Sequence, residues 1–582
     1  MANTSTAPGS SDEPVGSTTA QPLGRDERRV ILASSLGTVF EWYDFYLYGA
    51  LAAVISRQFF SGLDPTAAFI FALLAFAAGF IVRPLGAIWF GRLGDTRGRK
   101  KTFLLTIVLM GVSTFCVGLL PGYQTLGSLS PALLVLLRLV QGLAIGGEYG
   151  GAAIYVAEHA PQHRRGTYTG WIQTTATAGL LLSLLVIMGT RQLLGEAAFD
   201  DWGWRLPFLL SALLLGISVF IRLRMAESPV FERMREDGKV SQAPLSECFG
   251  QWRHLKVLAL ALFGLVAGQA VVWYTGQFYA LFFLTTVLRV DATLAHILMS
   301  IALVLGTPFF VLFGLLSDRI GRKPVILGGL ALACLCWFPL FQALTQAANP
   351  GLVQAQARAP VEVLADPMTC SFQGSPIARE TDFTSACDLA KRALTQQGIP
   401  YTNVELPSGS GAIVGVGSRE ITPPNARLLP DRSGFTAESA QEIARFRQTL
   451  AATLIQAGHP QRADPAQMNK PAIVAILFVL IVLVAMVYGP LAAALVELFP
   501  SRIRYTALSL PYHVGNGWFG GLMPTIAFAM VAGSGDIYQG LWYPVVIAGM
   551  TLVVGLVALR ETKDVDIYAK FLYWHPKGGL GR

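Results

Sequence analysis

The sequence predicts an all-α membrane protein of 582 residues, with twelve transmembrane helices in two pseudo-symmetric six-helix bundles. A small α/β domain is inserted on the extracytoplasmic side. Three observations predict this. Charged residues are only 14% of the chain and hydrophobic residues 53%. A soluble surface is coated by about 25% charged residues. Twelve apolar runs reach the roughly 20 residues that a helix needs to cross a bilayer. One loop pattern occurs at the same place in two halves of six runs each, as in a duplicated transporter.

The elements follow in chain order. Residues 1–29 are polar and rich in Ser, Thr, Gly and Pro, and read as a disordered cytoplasmic tail. No cleavable signal peptide is expected, because the first apolar run is too long and starts too late. Residues 30–223 hold the first bundle, with runs at 30–56, 67–90, 102–120, 132–158, 168–190 and 204–223. A cytoplasmic linker, 224–254, precedes three runs of the second bundle at 255–284, 292–316 and 324–345. The insert 346–470 follows, then runs at 471–497, 505–531 and 541–559 and a cytoplasmic tail, 561–582.

Orientation comes from the cations. With a cytoplasmic N-terminus, 27 of the 44 Lys and Arg lie on the inside and four (Arg57, Arg191, Arg205 and Arg289) in short outer loops. That bias places both termini in the cytoplasm of a multi-pass cell-membrane protein. The net charge of +8 arises largely in those loops. It marks contact with the lipid bilayer rather than with nucleic acid. A monomer is expected.

The insert balances eleven acids against eleven bases, like an ordinary small domain. Val361–Leu364 and Tyr401–Leu406 read as strands, Ser385–Gln396 as an amphipathic helix, and Thr436–Ile455 as containing another. Cys370 and Cys387 are its only cysteines, and an oxidising outer compartment makes a disulfide the leading reading. The other four cysteines are expected to be reduced. With one histidine, His459, the insert offers no metal set. Substrate binding, a partner contact and mere decoration all remain open for it.

The repeated loop reads Gly91-Arg-Leu-Gly-Asp95-Thr-Arg-Gly98-Arg99-Lys100 and Gly314-Leu-Leu-Ser-Asp318-Arg-Ile-Gly321-Arg322-Lys323, identical at six of ten positions. Gly98 and Gly321 permit a tight turn between helices. Asp95 and Asp318 can cap a helix or pair with an arginine. Arg99 and Arg322 sit where cations also reach head groups. Plain positive-inside topology explains the cations alone, but not the shared Gly and Asp spacing. The expectation is a cytoplasmic gate.

Ionisable residues at mid-membrane are costly and mark function by default. Glu41 and Asp44 share one face of the first run, with Tyr48 one turn on. Two carboxylates so close in low dielectric do not both ionise easily, which suits a group that binds and releases a proton. The fourth run adds Glu148, a Gly142, Gly146, Gly150 ridge for close helix approach, and Gln141 beside Arg138. Arg83 and Arg138 are the expected charge partners or anion-binding groups. A fixed structural ion pair is the competing reading for each acid.

The second half offers neutral groups instead: Gln269, Trp273 and Gln277 at i, i+4, i+8, and His513 with Asn516 at i, i+3. With Tyr48 and Gln141 they are candidates to line a solute site. Packing and interfacial aromatic belts compete for every one of them. No nucleophile–base pair or metal-ligand spacing appears, so neither an enzyme nor a cofactor is expected.

These motifs resemble the major facilitator superfamily: the paired Gly-x-x-x-Asp-x-x-Gly-Arg-Lys loops and Arg138-x-x-Gln-Gly match its signatures. Glu41-Trp-Tyr-Asp-Phe-Tyr-Leu-Tyr-Gly49 and Glu227-Ser-Pro-Val-Phe-Glu232 resemble its metabolite:H+ symporter family. The resemblance covers about 30–345 and 471–560. It implies proton-driven import of a small polar metabolite, either an organic acid such as 2-oxoglutarate, citrate or shikimate, or a zwitterionic osmolyte such as proline or betaine. Thr96 stands where a basic residue is usual. The partners implied are the solute and protons. A proton-coupled efflux antiporter is the alternative. A receptor or sensor is a remote one, since the cytoplasmic segments are too short for an output domain.

Overall fold

A computed structural model of the chain describes residues 25–61, 65–223, 227, 229–238, 240–371, 373 and 380–567. The tail readings at 1–24 and 568–582 lie outside the described residues. The first half contains α1 (Arg25–Ala50), α2 (Ala52–Phe59), α3 (Pro65–Arg97), α4 (Arg99–Leu119), α5 (Leu129–His159), α6 (Arg165–Leu194) and α7 (Arg205–Leu223). The helix at the N-terminal end thus begins at Arg25, inside the stretch expected to be a disordered tail.

The second half begins with α8 (Trp252–Val287), α9 (Ala292–Ile320) and α10 (Arg322–Ala348). The insert carries α11 (Pro350–Arg358), α12 (Ala386–Gln396) and α13 (Ala437–Gln456). Then come α14 (Lys470–Tyr488), α15 (Leu491–Leu498), α16 (Arg504–Val514), α17 (Met523–Ser534) and α18 (Trp542–Ala558). Among the described residues, nine helices are long and apolar enough to cross a membrane. The molecule is a multi-pass, mostly helical membrane protein. Helix α8 relaxes into π turns at Leu262–Val266, Thr275–Tyr279 and Phe283–Val287, and another follows α16 at Gly515–Gly520. Such turns are rare and cluster at functional sites.

Two helix joints follow directly from residue type. Gly98 and Gly321 adopt φ of +111° and +109°, which turns the chain from α3 into α4 and from α9 into α10. At the end of α10, the Asn349 side chain accepts the Leu352 N–H at 3.0 Å and Pro350 opens α11. Cap and proline together end one helix and start the next.

Within the first half α3 packs along α5, α4 along α5 and α7, and α1 along α6 and α7. In the second, α14 packs along α9 and α10, and α18 along α8 and α10. The halves meet along two antiparallel pairs, α6 with α9 and α3 with α16. Glycines make both possible. A Cβ at Gly314 would come within 3.0 Å of the Gly166 carbonyl carbon, and one at Gly91 within 2.8 Å of the Thr506 Cα.

The insert forms a four-stranded sheet in the order β2-β1-β3-β4, from β1 (Val361–Ala365), β2 (Thr402–Glu405), β3 (Ile413–Val416) and β4 (Arg419–Ile421). Strands β1 and β2 run parallel, joined through α12, as a parallel crossover requires. The sequence reading names neither β3 nor β4. The insert is tied to the second half: Tyr401 N–H donates to the Gly535 carbonyl at 3.1 Å, and Ala463 N–H to that of Arg289 at 3.2 Å.

Candidate functional site

The α3–α5 crossing sets the positions of the buried arginines. Gly142 and Gly146 of α5 face Gly79, Arg83 and Ala87 of α3. A Cβ at Gly142 would lie 2.7 Å from the Gly79 Cα, and one at Gly146 would lie 2.8 Å from the Ala87 nitrogen. Gly150 continues the ridge onto Ser509 of α16. This approach brings Arg83 and Arg138 into the middle of the molecule, 5% and 4% exposed.

The acids of the first half gather on an arginine the sequence reading does not select. Arg222, at the last turn of α7, forms ion pairs with Glu41 and with Glu148, the latter at 3.2 Å. It also lies over the Phe103 ring, with its guanidinium carbon 3.7 Å from the centroid. Arg83 and Arg138, expected as the charge partners, do not hold this place. The correction has a simple cause: an arginine ending an apolar run reads as an interfacial anchor, yet Arg222 is 1% exposed. Glu148 Oε2 and Asp44 Oδ1 are buried without hydrogen-bond partners. Asp44 faces Thr114.

Arg138 donates to Gln141 Oε1 at 2.6 Å, and Gln141 Nε2 donates to Thr114 Oγ1 at 2.8 Å. The Arg138 guanidinium also lies 4.2 Å above the Tyr48 ring, and the Tyr48 hydroxyl donates to the Ala72 carbonyl at 3.0 Å. Tyr48, Gln141 and Arg138 therefore form one connected polar group inside the first half.

Arg83 differs. Among the described residues no acid pairs with it, and its Nε has no hydrogen-bond partner. Its guanidinium lies over Phe80 at 4.3 Å and over Phe45 at 4.9 Å, favourable cation–π distances. Tyr46, Tyr274, Tyr488 and Tyr512 surround it from helices of both halves. Tyr488 and Tyr512 are joined through their hydroxyls at 2.8 Å. Next to this group Trp42 and Trp273 approach with ring centroids 5.7 Å apart, and Tyr46 stacks on Phe278 at 5.7 Å.

The neutral residues of the second half divide in two. Asn516 donates to Gln269 Oε1 at 3.2 Å, which joins α8 to the π turn after α16. Trp273 Nε1, both polar atoms of Gln277 and both ring nitrogens of His513 are buried without hydrogen bonds. The second set offers groups to a bound molecule; the first is occupied.

The residues of the repeated loops form two matching clasps between the halves. Asp95 accepts the N–H groups of Tyr505 at 3.1 Å and Thr506 at 2.9 Å, at the start of α16. Asp318 accepts those of Gly166 and Thr167, both at 2.8 Å, at the start of α6. Each carboxylate thus neutralises exposed N–H groups at a helix N-terminus. Burial pushes the Asp95 carboxyl up to about 6 against those hydrogen bonds. Arg322 pairs with Asp318 at 2.7 Å and Glu497 at 3.1 Å, and Arg165 with Glu497 at 2.8 Å. At the other clasp Arg99 of the first half and Arg504 of the second share Glu158, the latter at 2.7 Å.

Four acids outside the repeated loop complete these clasps. Glu227 accepts the N–H groups of Arg99 and Lys100, both at 3.1 Å. Glu561 accepts those of Arg322 at 2.8 Å and Lys323 at 3.0 Å. Glu561 falls in the stretch expected to be a tail. Glu158 and Glu497 were not selected, although Glu158-x-x-Pro161-x-x-x-Arg165 and Glu497-x-x-Pro500-x-x-x-Arg504 repeat at equal spacing.

In the insert, Cys370 and Cys387 are joined, with Cα atoms 5.3 Å apart. No cluster suited to a metal ion occurs among the described residues.

Family comparisons agree with this architecture. A model described as "Sugar (and other) transporter" matches residues 30–247, and one described as "MFS/sugar transport protein" matches residues 151–359. The proline/betaine transporter of Escherichia coli K12 is 38% identical over 322 residues, 53% of this chain and 63% of that protein. The chain therefore spans under two thirds of that relative's length. The alpha-ketoglutarate permease of the same organism is 35% identical over 330 residues, 56% of this chain and 74% of that protein. The proton:xylose symporter XylE, from E. coli, superposes with a TM-score of 0.56 at 18% identity, covering 93% of this chain and 98% of that one. At that identity the likeness concerns the fold.

Proposed function

Because the chain belongs to the major facilitator superfamily of membrane transporters, we propose that it is a proton-coupled symporter. It imports a small polar metabolite, an organic acid or a zwitterionic osmolyte, by alternating access. Twelve spans form the two bundles, 30–223 and 255–345 with 471–560. Both termini and the 224–254 linker lie in the cytoplasm, and the 346–470 insert faces outward, where its disulfide is stable. The protein acts as a monomer in a bacterial inner membrane.

The observation that carries the coupling is Arg222 set between Glu41 and Glu148. Two carboxylates against one guanidinium leave a buried surplus of one negative charge, which one proton cancels. Asp44, three residues from Glu41, adds a third carboxyl with an unbonded oxygen. The reading of the solute rests on Arg83. A guanidinium with no acidic partner, ringed by aromatic side chains and tyrosine hydroxyls, suits a carboxylate. Trp273, Gln277 and His513 hold the rest of the solute, while the Asp95 and Asp318 clasps latch the cytoplasmic side. The relatives named for proline and betaine and for alpha-ketoglutarate support both solute classes equally.

Uptake into proteoliposomes under an inside-alkaline gradient tests the proposal. Accumulation that ignores the gradient removes the coupling. Full gradient-driven accumulation by both Asp44→Asn and Glu41→Gln removes the site assignment. Export driven by an opposite gradient would favour the antiporter.

A further inference from the structure

His513 stands level with Arg83 across the interface of the two halves. In the antiparallel α3–α16 pair, a Cβ at Gly91 would lie 2.8 Å from the Thr506 Cα, and one at Gly517, in the π turn that follows α16, would lie 2.9 Å from the Phe80 carbonyl oxygen. That register sets Pro84 opposite His513 and Arg83 opposite Val514, so Arg83 lies within one residue of the level of His513. His513 is 1% exposed, and neither of its ring nitrogens has a hydrogen-bond partner.

Its neighbours are otherwise engaged. The Tyr512 hydroxyl is bonded to that of Tyr488, and Asn516 is bonded to Gln269. Among the described residues, the titratable and charged groups that act on this part of α16 include Arg83 on α3, Tyr274 on α8 and Tyr488 on α14, with Glu148 on α5 acting on Tyr505 of the same helix. The charge that acts on His513 directly is that of Arg83.

A buried imidazole with no hydrogen bond is a costly arrangement unless something completes it. A protonated imidazole beside an unopposed guanidinium is a like-charge pair, so the empty site resists it. A carboxylate seated on Arg83 removes that repulsion and supplies an acceptor for the new N–H. Anion and proton then favour one another at one place.

We propose that His513 takes up a proton when the carboxylate of the solute binds Arg83, which makes it a second proton-binding group separate from Glu41, Asp44 and Glu148. The inference rests on the reading of Arg83 as the solute-carboxylate site. Linkage is reciprocal, so acid tightens solute binding and bound solute holds the proton. With one proton taken up per solute, the dissociation constant falls up to tenfold for each unit of pH decrease.

The test is calorimetric titration of the purified full chain with glycine betaine and, separately, 2-oxoglutarate between pH 5.5 and 8. The expected result is that affinity for the bound probe rises toward acid, steepest where a proton is taken up, and that His513→Gln flattens this rise. Repeating the wild-type titration in two buffers of different ionisation enthalpy counts protons without any variant, and about one per solute is expected. An unchanged slope in His513→Gln, or no proton uptake on binding, overturns the role of His513 and leaves the transport reading standing. If neither probe binds, the carboxylate-solute reading fails and this inference fails with it.

Discussion

The Asp318 carboxylate, on the second bundle, accepts the Thr167 backbone N–H, on the first, at 2.8 Å. The pseudo-symmetric contact joins Asp95 to Thr506 at 2.9 Å. Each aspartate therefore sits in one half and caps a helix of the other. Separating the bundles at this end uncovers both caps.

Neutralising a clasp should loosen the contact between the two bundles at this end. Loss of a cap costs about 1 kcal/mol, roughly fivefold in an equilibrium. Asp318→Asn should lengthen the mean distance between spin labels at Arg97 and Arg319, which are exposed on opposite halves. Asp95→Asn should do the same, and the double variant should exceed either. A distance distribution identical to that of the parent would show that the caps do not hold the closed state.

The arginine clusters behind the caps should matter far more for stability. Glu158 and Glu497 are fully buried, and each meets two arginines. Removing one partner of a buried pair costs about 3–5 kcal/mol, because the remaining charge stays in the interior. An exposed pair such as Arg191–Glu196, at 3.2 Å with side chains 36% and 74% exposed, contributes under about 1 kcal/mol. Thermal unfolding in detergent should separate Glu158→Gln and Glu497→Gln sharply from Glu196→Gln. Equal melting temperatures would contradict the burial argument.

The clasp shows which contacts a sequence makes legible. The aspartates stood out because their loop is repeated almost residue for residue. Glu158 and Glu497 were within reach by the same logic, since their Pro and Arg neighbours repeat at equal spacing. Arg222 was not, because its partners lie 181 and 74 residues away and its own position looks interfacial. The π turns of α8 have no periodic signature, as they differ from an α-helix by one residue per turn. Strands β3 and β4 are four and three residues long, too short for alternation to register.

Close helix approach should make Gly146 intolerant of any side chain. A Cβ there would overlap the Arg83 carbonyl oxygen and lie 2.8 Å from the Ala87 nitrogen, and both are backbone atoms that cannot rotate away. Gly146→Ala should cost about 1–3 kcal/mol or more from overpacking. Gly189→Ala, with open space around it, should be neutral or slightly stabilising. The yield of monodisperse protein and its melting temperature check both expectations.

The insert should loosen in mild acid. Burial holds the His459 imidazole below its ordinary value, opposed by a hydrogen bond to the Ala359 carbonyl at 2.9 Å. A group whose folded value is depressed leaves stability intact above its unfolded value, about 6.5 for histidine. That stability is lost as pH falls toward the folded value, because only the unfolded chain takes the proton easily. Amide exchange across 361–421, corrected for intrinsic rate, should accelerate between about pH 6.5 and 5. His459→Gln should remove most of this pH dependence. A variant that keeps the full acceleration would assign it elsewhere.

The acids around Arg222 allow structural and coupling roles to be told apart. Arg222→Met alone leaves Glu41 and Glu148 buried without their cation and should destabilise the fold by about 3–5 kcal/mol. Combining it with Glu41→Gln and Glu148→Gln removes every charge of the triad and should restore most of that loss, as neutral replacements of buried ion groups often do. The non-additivity is measurable as the difference between the triple variant and the sum of its parts. If the triad is only a structural brace, the folded triple variant keeps gradient-driven uptake. If it binds the coupled proton, the same folded protein equilibrates solute across the vesicle membrane yet no longer accumulates it against a gradient. Uptake assays on that one variant, with its melting temperature measured alongside, distinguish the two roles.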